Sequence, residues 1–471
     1  MARRRLKVRA ALRPWAKTVR LSTTISAQSH QPSDKAAKVT LQRRAFLTTA
    51  ASMAAVGPAL GAPKLIEGFS PDRLQRIRPW LEKGVADHRM AGGVWRIMRH
   101  GRLVDQGAFG LSDVASNRAM TLDAMFRIFS MTKPVTVATA MSLYEEAKFD
   151  LHDPVSKWIP QFRTMQVQTE VQDASGVKSL HLAPPSRPVM VLDLMRHTAG
   201  LSYAGPKDDQ GRSQYSLLGV DRPDAPLSEW IKRITAAPLV RDPGTGFDYG
   251  YGMDVLGRLI EIWADAPFDQ VMRERVLAPL GMKDTGFWVS PDKASRVATL
   301  YSPSSLGDRL PDGSIDVGGA IIRSPFAAQD AWRKEPALKY GGAGLISTAA
   351  DYSRFLEMLR GDGALDGVRV LAPSTVALMH SDLLGSIPAK LSDIWGGYGF
   401  GLAMEVDRGL EQAATPLAPG SYDWGGAAST WMWVDPKNEL TGMLLLQVFP
   451  SAPRWGQLFK QLVYGALVAP Q

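Results

Sequence analysis

Cysteine is absent from all 471 residues. That excludes disulfides and a thiol nucleophile, and it fits an exported and a cytoplasmic protein equally. Histidine is scarce. His30, His88, His100, His152, His181, His197 and His380 are all there are, and none stands three or four residues from another. No local zinc-ligand pair exists, so a metal hydrolase has no support and no metal is expected. The Gly-x-Ser-x-Gly elbow of an α/β-hydrolase is also missing, because Gly200-Leu201-Ser202-Tyr203 is followed by Ala204, one glycine short. Long apolar runs are lacking too. The stretch Phe46 to Leu60 is rich in Ala and Thr and makes a poor membrane span, and nothing after it resembles one.

Excess charge is nearly absent from the body of the chain. Of the formal net charge of +9, residues 1–44 contribute +11 from twelve Arg and Lys against one Asp, which leaves −2 for residues 45–471. A nucleic-acid binder carries its basic surface within the folded body, so no nucleic-acid partner is expected. The basic leader ends in Arg43-Arg44-Ala45-Phe46-Leu47, a mildly apolar stretch and Ala59-Leu60-Gly61. This is the pattern of a twin-arginine (Tat-type) export signal over residues 1–61, and it predicts a periplasmic enzyme. A basic tail on a cytoplasmic enzyme is the alternative.

Hydrophobic residues make up 45% of the chain, with 43 glycines and 32 prolines, a globular composition with many turns. Leu74, Ile77, Leu81 and Val85 recur at helical spacing and predict a helix over 71–88. Gly93 to Met98, the His100-Gly101 turn and Leu103-Val104 predict an antiparallel hairpin. Thr430 to Val434 and Met443 to Val448 flank Asp435-Pro436-Lys437-Asn438 and predict a second. Helices are expected from Ser130 to Ala147, over 191–195, 227–234, 255–263 and 351–359, and from Trp455 to Leu467. Residues 302–337 show no period and read as a long loop, a pocket wall or a cover. Strands near both ends with helices between them predict an α+β fold. One sheet part is built from 66–145 and 338–471, and a mainly helical part from 146–337.

Chemistry concentrates in Ser130-Met131-Thr132-Lys133, which places a hydroxyl and an amine on one face of a helix start. A serine hydroxyl attacks an ester only with a proton acceptor in reach, and a lysine serves if burial or a cationic neighbour lowers its pKa. Pro134 suits the first helical turn, where backbone N–H groups favour a developing oxyanion. Alone, the tetrad reads as a solvated lysine beside a capping serine. Tyr249, in Phe247-Asp248-Tyr249-Gly250-Tyr251-Gly252, offers a phenol in a glycine-rich turn, where a packed tyrosine is the plain alternative and Tyr251 competes for the role. Asp254 reads as the cap of the following helix. Trp424-Gly425-Gly426-Ala427 permits close backbone approach, so the Ala427 N–H can complete an oxyanion hole with the Ser130 N–H, or the segment is an ordinary turn.

Together these segments resemble the serine β-lactamase and penicillin-binding-protein superfamily, in its class C branch and closest to the family VIII carboxylesterases. The likeness covers roughly residues 71–468. Ser130-Met131-Thr132-Lys133 matches the family's Ser-x-x-Lys, and Leu194-Met195-Arg196-His197-Thr198-Ala199-Gly200-Leu201 matches its His-Thr-Ser-Gly-Leu stretch. Pro279-Leu280-Gly281-Met282 and Gly341-Gly342-Ala343-Gly344-Leu345 are also similar. The resemblance implies a β-lactamase/transpeptidase-like fold with the active site between sheet and helical parts and no cofactor. It implies Ser130 as nucleophile, Lys133 as its activator and Tyr249 as the shuttle to the leaving group and to the deacylating water.

Two departures narrow the substrate. The family's Tyr-x-Asn becomes Tyr249-Gly250-Tyr251, and its Lys-Thr-Gly becomes Trp424-Gly425-Gly426. By the resemblance, the amide that orients a β-lactam side chain and the cation near a substrate carboxylate are missing. Tyr251, Trp424, Gly425 and Gly426 are then expected to contact a neutral, apolar ester. The expected activity is carboxylic ester hydrolysis on a small molecule. The alternatives are a β-lactamase or D-alanyl-D-alanine carboxypeptidase, and a non-catalytic binder of cell-wall or lipid fragments. Oligomeric state is not fixed by the sequence.

Overall fold

The computed structural model describes residues 65–469, apart from 177, 310–314, 326–329, 331, 388–397, 410–414 and 453. The leader expected over residues 1–61 lies outside them. Residues 61–471 form one compact unit.

Strands β1 (Gly92–Arg99) and β2 (Arg102–Asp113) form the expected hairpin, closed by His100 and Gly101 with φ of +51° and +73°. Paired left-handed residues make the tight turn whose twist suits a two-residue hairpin. β3 (Arg118–Ala119) adds to the edge of β2. The remaining strands come from the end of the chain: β4 (Tyr398–Phe400), β5 (Glu405–Asp407), β6 (Tyr422–Gly426), β7 (Thr430–Asp435) and β8 (Leu440–Leu446). The sheet order is β4-β5-β6-β7-β8-β1-β2-β3, antiparallel throughout. The first and last strands of the chain meet at its middle, with Val94 opposite Leu445.

Helices cover both faces, so successive residues of the central strands enter different cores. Trp95 and Ile97 of β1, Trp433 of β7 and Leu444 of β8 pack with α1 (Ile77–Ala86) and the terminal Phe459 and Val463. Val94, Met432, Val434, Met443 and Leu445 face the other way. They join a larger core with α2 (Thr132–Tyr144), α3 (Gly252–Ala264) and α4 (Ala349–Arg360), and α5 (Arg454–Ala466) closes the first face. Residues of α2 from Thr132 to Met141 are all buried, so this helix runs through the interior.

Two expectations change. The helix over 71–88 is broken into Pro71–Leu74 and α1, with Val85 only half-buried. Pro79 lacks an N–H, and its ring crowds the carbonyl four residues back at Gln75, where the break falls. The aperiodic 302–337 segment contains strands Tyr301–Arg309 and Ile315–Arg323, paired antiparallel with two register shifts. A second unanticipated hairpin, Val167–Gln172 with Lys178–Ala183, lies in the otherwise helical middle. Among the described residues, no helix is long and apolar enough to cross a membrane.

Candidate active site

Ser130 lies in a short 3-10 turn, Phe129–Met131, between the strand Met125–Arg127 and α2. The turn is fixed from several sides. The Ile128 N–H donates to the Leu345 carbonyl at 3.1 Å, the Tyr352 hydroxyl donates to the Met131 carbonyl at 2.8 Å, and the Phe129 ring stacks on Phe449 at 5.8 Å. Phe129 has φ of +42°, a strained conformation for a residue with a Cβ. This strain sits immediately before the half-buried Ser130 and aims its side chain.

Lys133, one turn on, has no exposed surface. Its amine has three polar neighbours: the Gly342 carbonyl at 2.7 Å, Ser130 Oγ at 3.1 Å and the Tyr203 hydroxyl at 3.1 Å. Burial lowers its pKa to about 7, with Asp254 opposing the shift. Thr136 Oγ1 donates to the Gly341 carbonyl at 2.7 Å, and the Leu345 N–H donates to Thr132 Oγ1 at 3.0 Å. The buried polar side of α2 therefore holds the loop Gly341–Leu345 against the amine.

Asp254, expected as a helix cap, lies within the first turn of α3, whose N-cap residue is Tyr251. It reaches out of the first turn of α3 and accepts the Gly342 N–H at 3.0 Å. Its other oxygen is buried without a partner. Burial raises its pKa, and the Gly342 N–H and Lys133 resist.

Tyr249 stands on the other side of Lys133, with its ring centroid 4.5 Å from the amine. Its hydroxyl is buried and has no hydrogen bond of good geometry. Burial pushes the phenol pKa up, while polar contacts with Ser130 and Trp424 pull it down. His197 packs edge-on against Tyr249, 4.6 Å between centroids, and accepts the Gly250 N–H on Nδ1 at 3.4 Å. It is held neutral by burial and then by Lys133, as a packed structural histidine would be.

The segment 201–203 is bridged to 249–251: the Tyr203 N–H donates to the Tyr249 carbonyl and the Tyr251 N–H to the Leu201 carbonyl. A Cβ at Gly250 would collide with the Leu201 carbonyl, which is why glycine separates the two tyrosines. Sequence reasoning missed Tyr203, which bonds Lys133 directly. Its available signal was its place directly after the matched stretch ending at Leu201. Tyr251 packs on Tyr203 at 4.6 Å and also on Tyr215 and Trp230, so it backs Tyr203 and is set off from the Ser130–Lys133 pair.

β6 brings in the last expected residues. A Cβ at Gly426 would collide with the Ile128 carbonyl and the Thr430 hydroxyl. Only glycine lets the strand lie against the backbone just before Ser130. Trp424 is buried, with its ring 5.4 Å from Tyr249 and 5.3 Å from Phe400, and its indole N–H has no partner. Ser130, Lys133, Tyr249, Trp424 and Gly426 thus converge, and Gly425 and Ala427 are the chain neighbours of Gly426. A cavity of about 610 Å³ lined by Met165, Leu180, Leu182 and Leu217 is bordered by none of them.

A model of the Beta-lactamase family matches residues 77–463. Protein Rv1367c of Mycobacterium tuberculosis is 37% identical over 77% of this chain and 87% of the relative. Esterase EstB of Burkholderia gladioli is 30% identical over 79% of this chain and 89% of its own. The solved structure of EstCE1, described as a hydrolase with promiscuous acyltransferase activity, matches with a TM-score of 0.66 at 28% identity, over 84% of this chain and 98% of that one.

Proposed function

The chain belongs to the Beta-lactamase family and has the β-lactamase/transpeptidase-like fold, and we propose that within it the protein is a serine carboxylesterase acting through an acyl-enzyme on Ser130. Esterase and acyltransferase homologues support a serine hydrolase of this fold. The observation that carries the finer reading is an amine without exposed surface 3.1 Å from the Ser130 hydroxyl.

In this reading, Ser130 Oγ attacks the ester carbonyl and gives its proton to the uncharged Lys133 amine. The Ser130 and Ala427 N–H groups receive the developing oxyanion. Tyr249 stays a neutral phenol at rest, because burial raises its pKa. It then acts as an acid toward the leaving alkoxide, and Lys133 restores its proton. Water, oriented by the same two groups, cleaves the acyl-enzyme. Trp424 and Tyr249, with Phe400 packed behind Trp424, make this side of the site aromatic. That side suits a neutral acyl or alcohol part and gives a substrate carboxylate no cation.

Hydrolysis of p-nitrophenyl butyrate and of nitrocefin, measured side by side, tests this. We expect ester turnover at least about a hundredfold more efficient than β-lactam turnover, the loss of one charged contact. Nitrocefin turnover without ester turnover would reject the reading. A second reading, transfer of the acyl group to an alcohol, is favoured by the activity described for EstCE1. Ester products formed on adding a primary alcohol would report it. Export through the Arg43-Arg44 signal is part of the proposal.

A further inference from the structure

We infer that Tyr203 is a positioning residue for acylation. Its hydroxyl accepts one N–H of the Lys133 amine and turns its own proton toward Asp254, which leaves the amine lone pair facing Ser130. The inference rests on the reading of Lys133 as the base.

It follows from counting donors and acceptors. An uncharged amine has two N–H donors and one lone pair, and Lys133 has three polar neighbours. The Gly342 carbonyl only accepts, so it takes one N–H. Ser130 is activated only if its O–H points at the lone pair. One N–H remains, and Tyr203 must accept it. In the opposite arrangement Tyr203 donates to the lone pair, Ser130 faces an N–H and acylation stops. Both arrangements are open to a hydroxyl that has no other acceptor.

Asp254 separates them. One of its oxygens is occupied by the Gly342 N–H, and the other is buried without a partner. A Cβ at Gly342 would stand 2.9 Å from the Tyr203 hydroxyl and 3.0 Å from that free oxygen, so both border the same side of Gly342. A carboxylate there draws the Tyr203 proton away from Lys133. Tyr203 as a residue is 38% exposed, and its hydroxyl lies 3.1 Å from the buried amine. Burial, then Asp254 and the phenols of Tyr249, Tyr251 and Tyr340, raise the pKa of this hydroxyl, so it retains the proton it must donate. The titratable groups acting on Lys133 are Asp254 from α3, Tyr203 and His197 from the segment 197–203, and Tyr249 from the facing turn. During attack the Ser130 proton moves to the lone pair. The resulting ammonium then has three N–H groups for Gly342, Tyr203 and the serine oxygen, and the third proton leaves through Tyr249 with the alkoxide.

Stopped-flow acylation by p-nitrophenyl butyrate tests this on the wild-type, Tyr203→Phe, Asp254→Asn and double-variant proteins. We expect Tyr203→Phe to slow acylation by about ten- to a hundredfold, the scale of a misdirected reacting group, with KM changed less than about threefold. We also expect its rising pH limb to move to lower pH, because the ammonium has lost an acceptor. A slower enzyme with a more readily uncharged lysine is not what simple damage to the fold produces. Asp254→Asn should slow acylation too, and should add nothing in the Tyr203→Phe background. Wild-type acylation by Tyr203→Phe, or additive losses with an unmoved pH limb, would overturn the inference and leave the esterase reading standing. If the wild type forms no acyl-enzyme, or Lys133→Ala acylates at the wild-type rate, the reading beneath it falls instead.

Discussion

An amine with no exposed surface avoids an unpaired charge either by forming an ion pair or by losing its proton. For Lys133 burial favours the second course: its pKa falls to about 7, it forms no ion pair among the described residues, and the nearby Asp254 carboxylate accepts the Gly342 N–H. Protonated, Lys133 has no lone pair, so competence for acylation is present above its pKa and lost below it. The pH profile of kcat/KM should therefore rise through about 7, the value to which burial lowers this lysine. A profile flat from pH 5 to 9 would contradict Lys133 as base. A second prediction concerns Gly426. Alanine there must push β6 off the Ile128 carbonyl and carry the Ala427 N–H away from the oxyanion. The expected loss in kcat is about a hundred- to a thousandfold, with the fold retained by circular dichroism. An unchanged kcat would remove Ala427 from the oxyanion hole. That Ser130, Lys133 and Tyr249 lie close together was legible in the sequence, because each sits in a short segment whose neighbours, Pro134 and Gly250 among them, are constrained by backbone geometry. Tyr203 was not, because its role depends on a side chain crossing from one loop to another segment's helix.

Among the elements, the stretch from Arg187 to Thr198 shows how the site is braced. Asp193, buried, bonds Arg187 at 2.6 Å, Arg196 at 3.2 Å, Thr198 at 2.7 Å and the Met190 N–H at 3.0 Å. It thereby fixes the turn that presents His197 behind Tyr249. Asp193→Ala leaves two half-buried arginines, the Thr198 hydroxyl and the Met190 N–H without their acceptor and should cost about 2–3 kcal/mol, read by urea unfolding. A loss below about 1 kcal/mol would show the network to be dispensable. Burial opposes the charge on Asp193, but Arg187, the Met190 N–H and Thr198 hold its pKa below the ordinary carboxylate value. Its stabilising contribution is therefore present above about pH 3.9 and lost as pH falls through the lowered folded-state value. Long periodic helices such as α3 and α4 were readable because their apolar stripes repeat. The hairpins Val167–Ala183 and Tyr301–Arg323 were not. Glu170, Gln172 and Lys178 on the first are polar surface residues with no clear alternation, and Pro303 and Gly307 on the second suggest a loop. Pairing between neighbouring strands supplies what local propensity lacks.

For the whole molecule, one arrangement organises the rest: β1 from the start of the body is clasped by β8 from its end. The turn carrying Ser130 follows the first hairpin, strand β6 precedes the last one, and the segment between them supplies Tyr203, Tyr249 and Asp254. This closure was legible in outline, from apolar strands near both ends with helices between them. The convergence of side chains at its centre needed the packing of α2 through the interior. The most direct test of that convergence is intact-mass spectrometry after mixing the folded protein with p-nitrophenyl butyrate, followed by peptide mapping. The account predicts a gain of one butyryl group on the peptide carrying Ser130, absent from Ser130→Ala. A folded wild-type protein that acquires no acyl group, or an adduct that persists in Ser130→Ala, would contradict it.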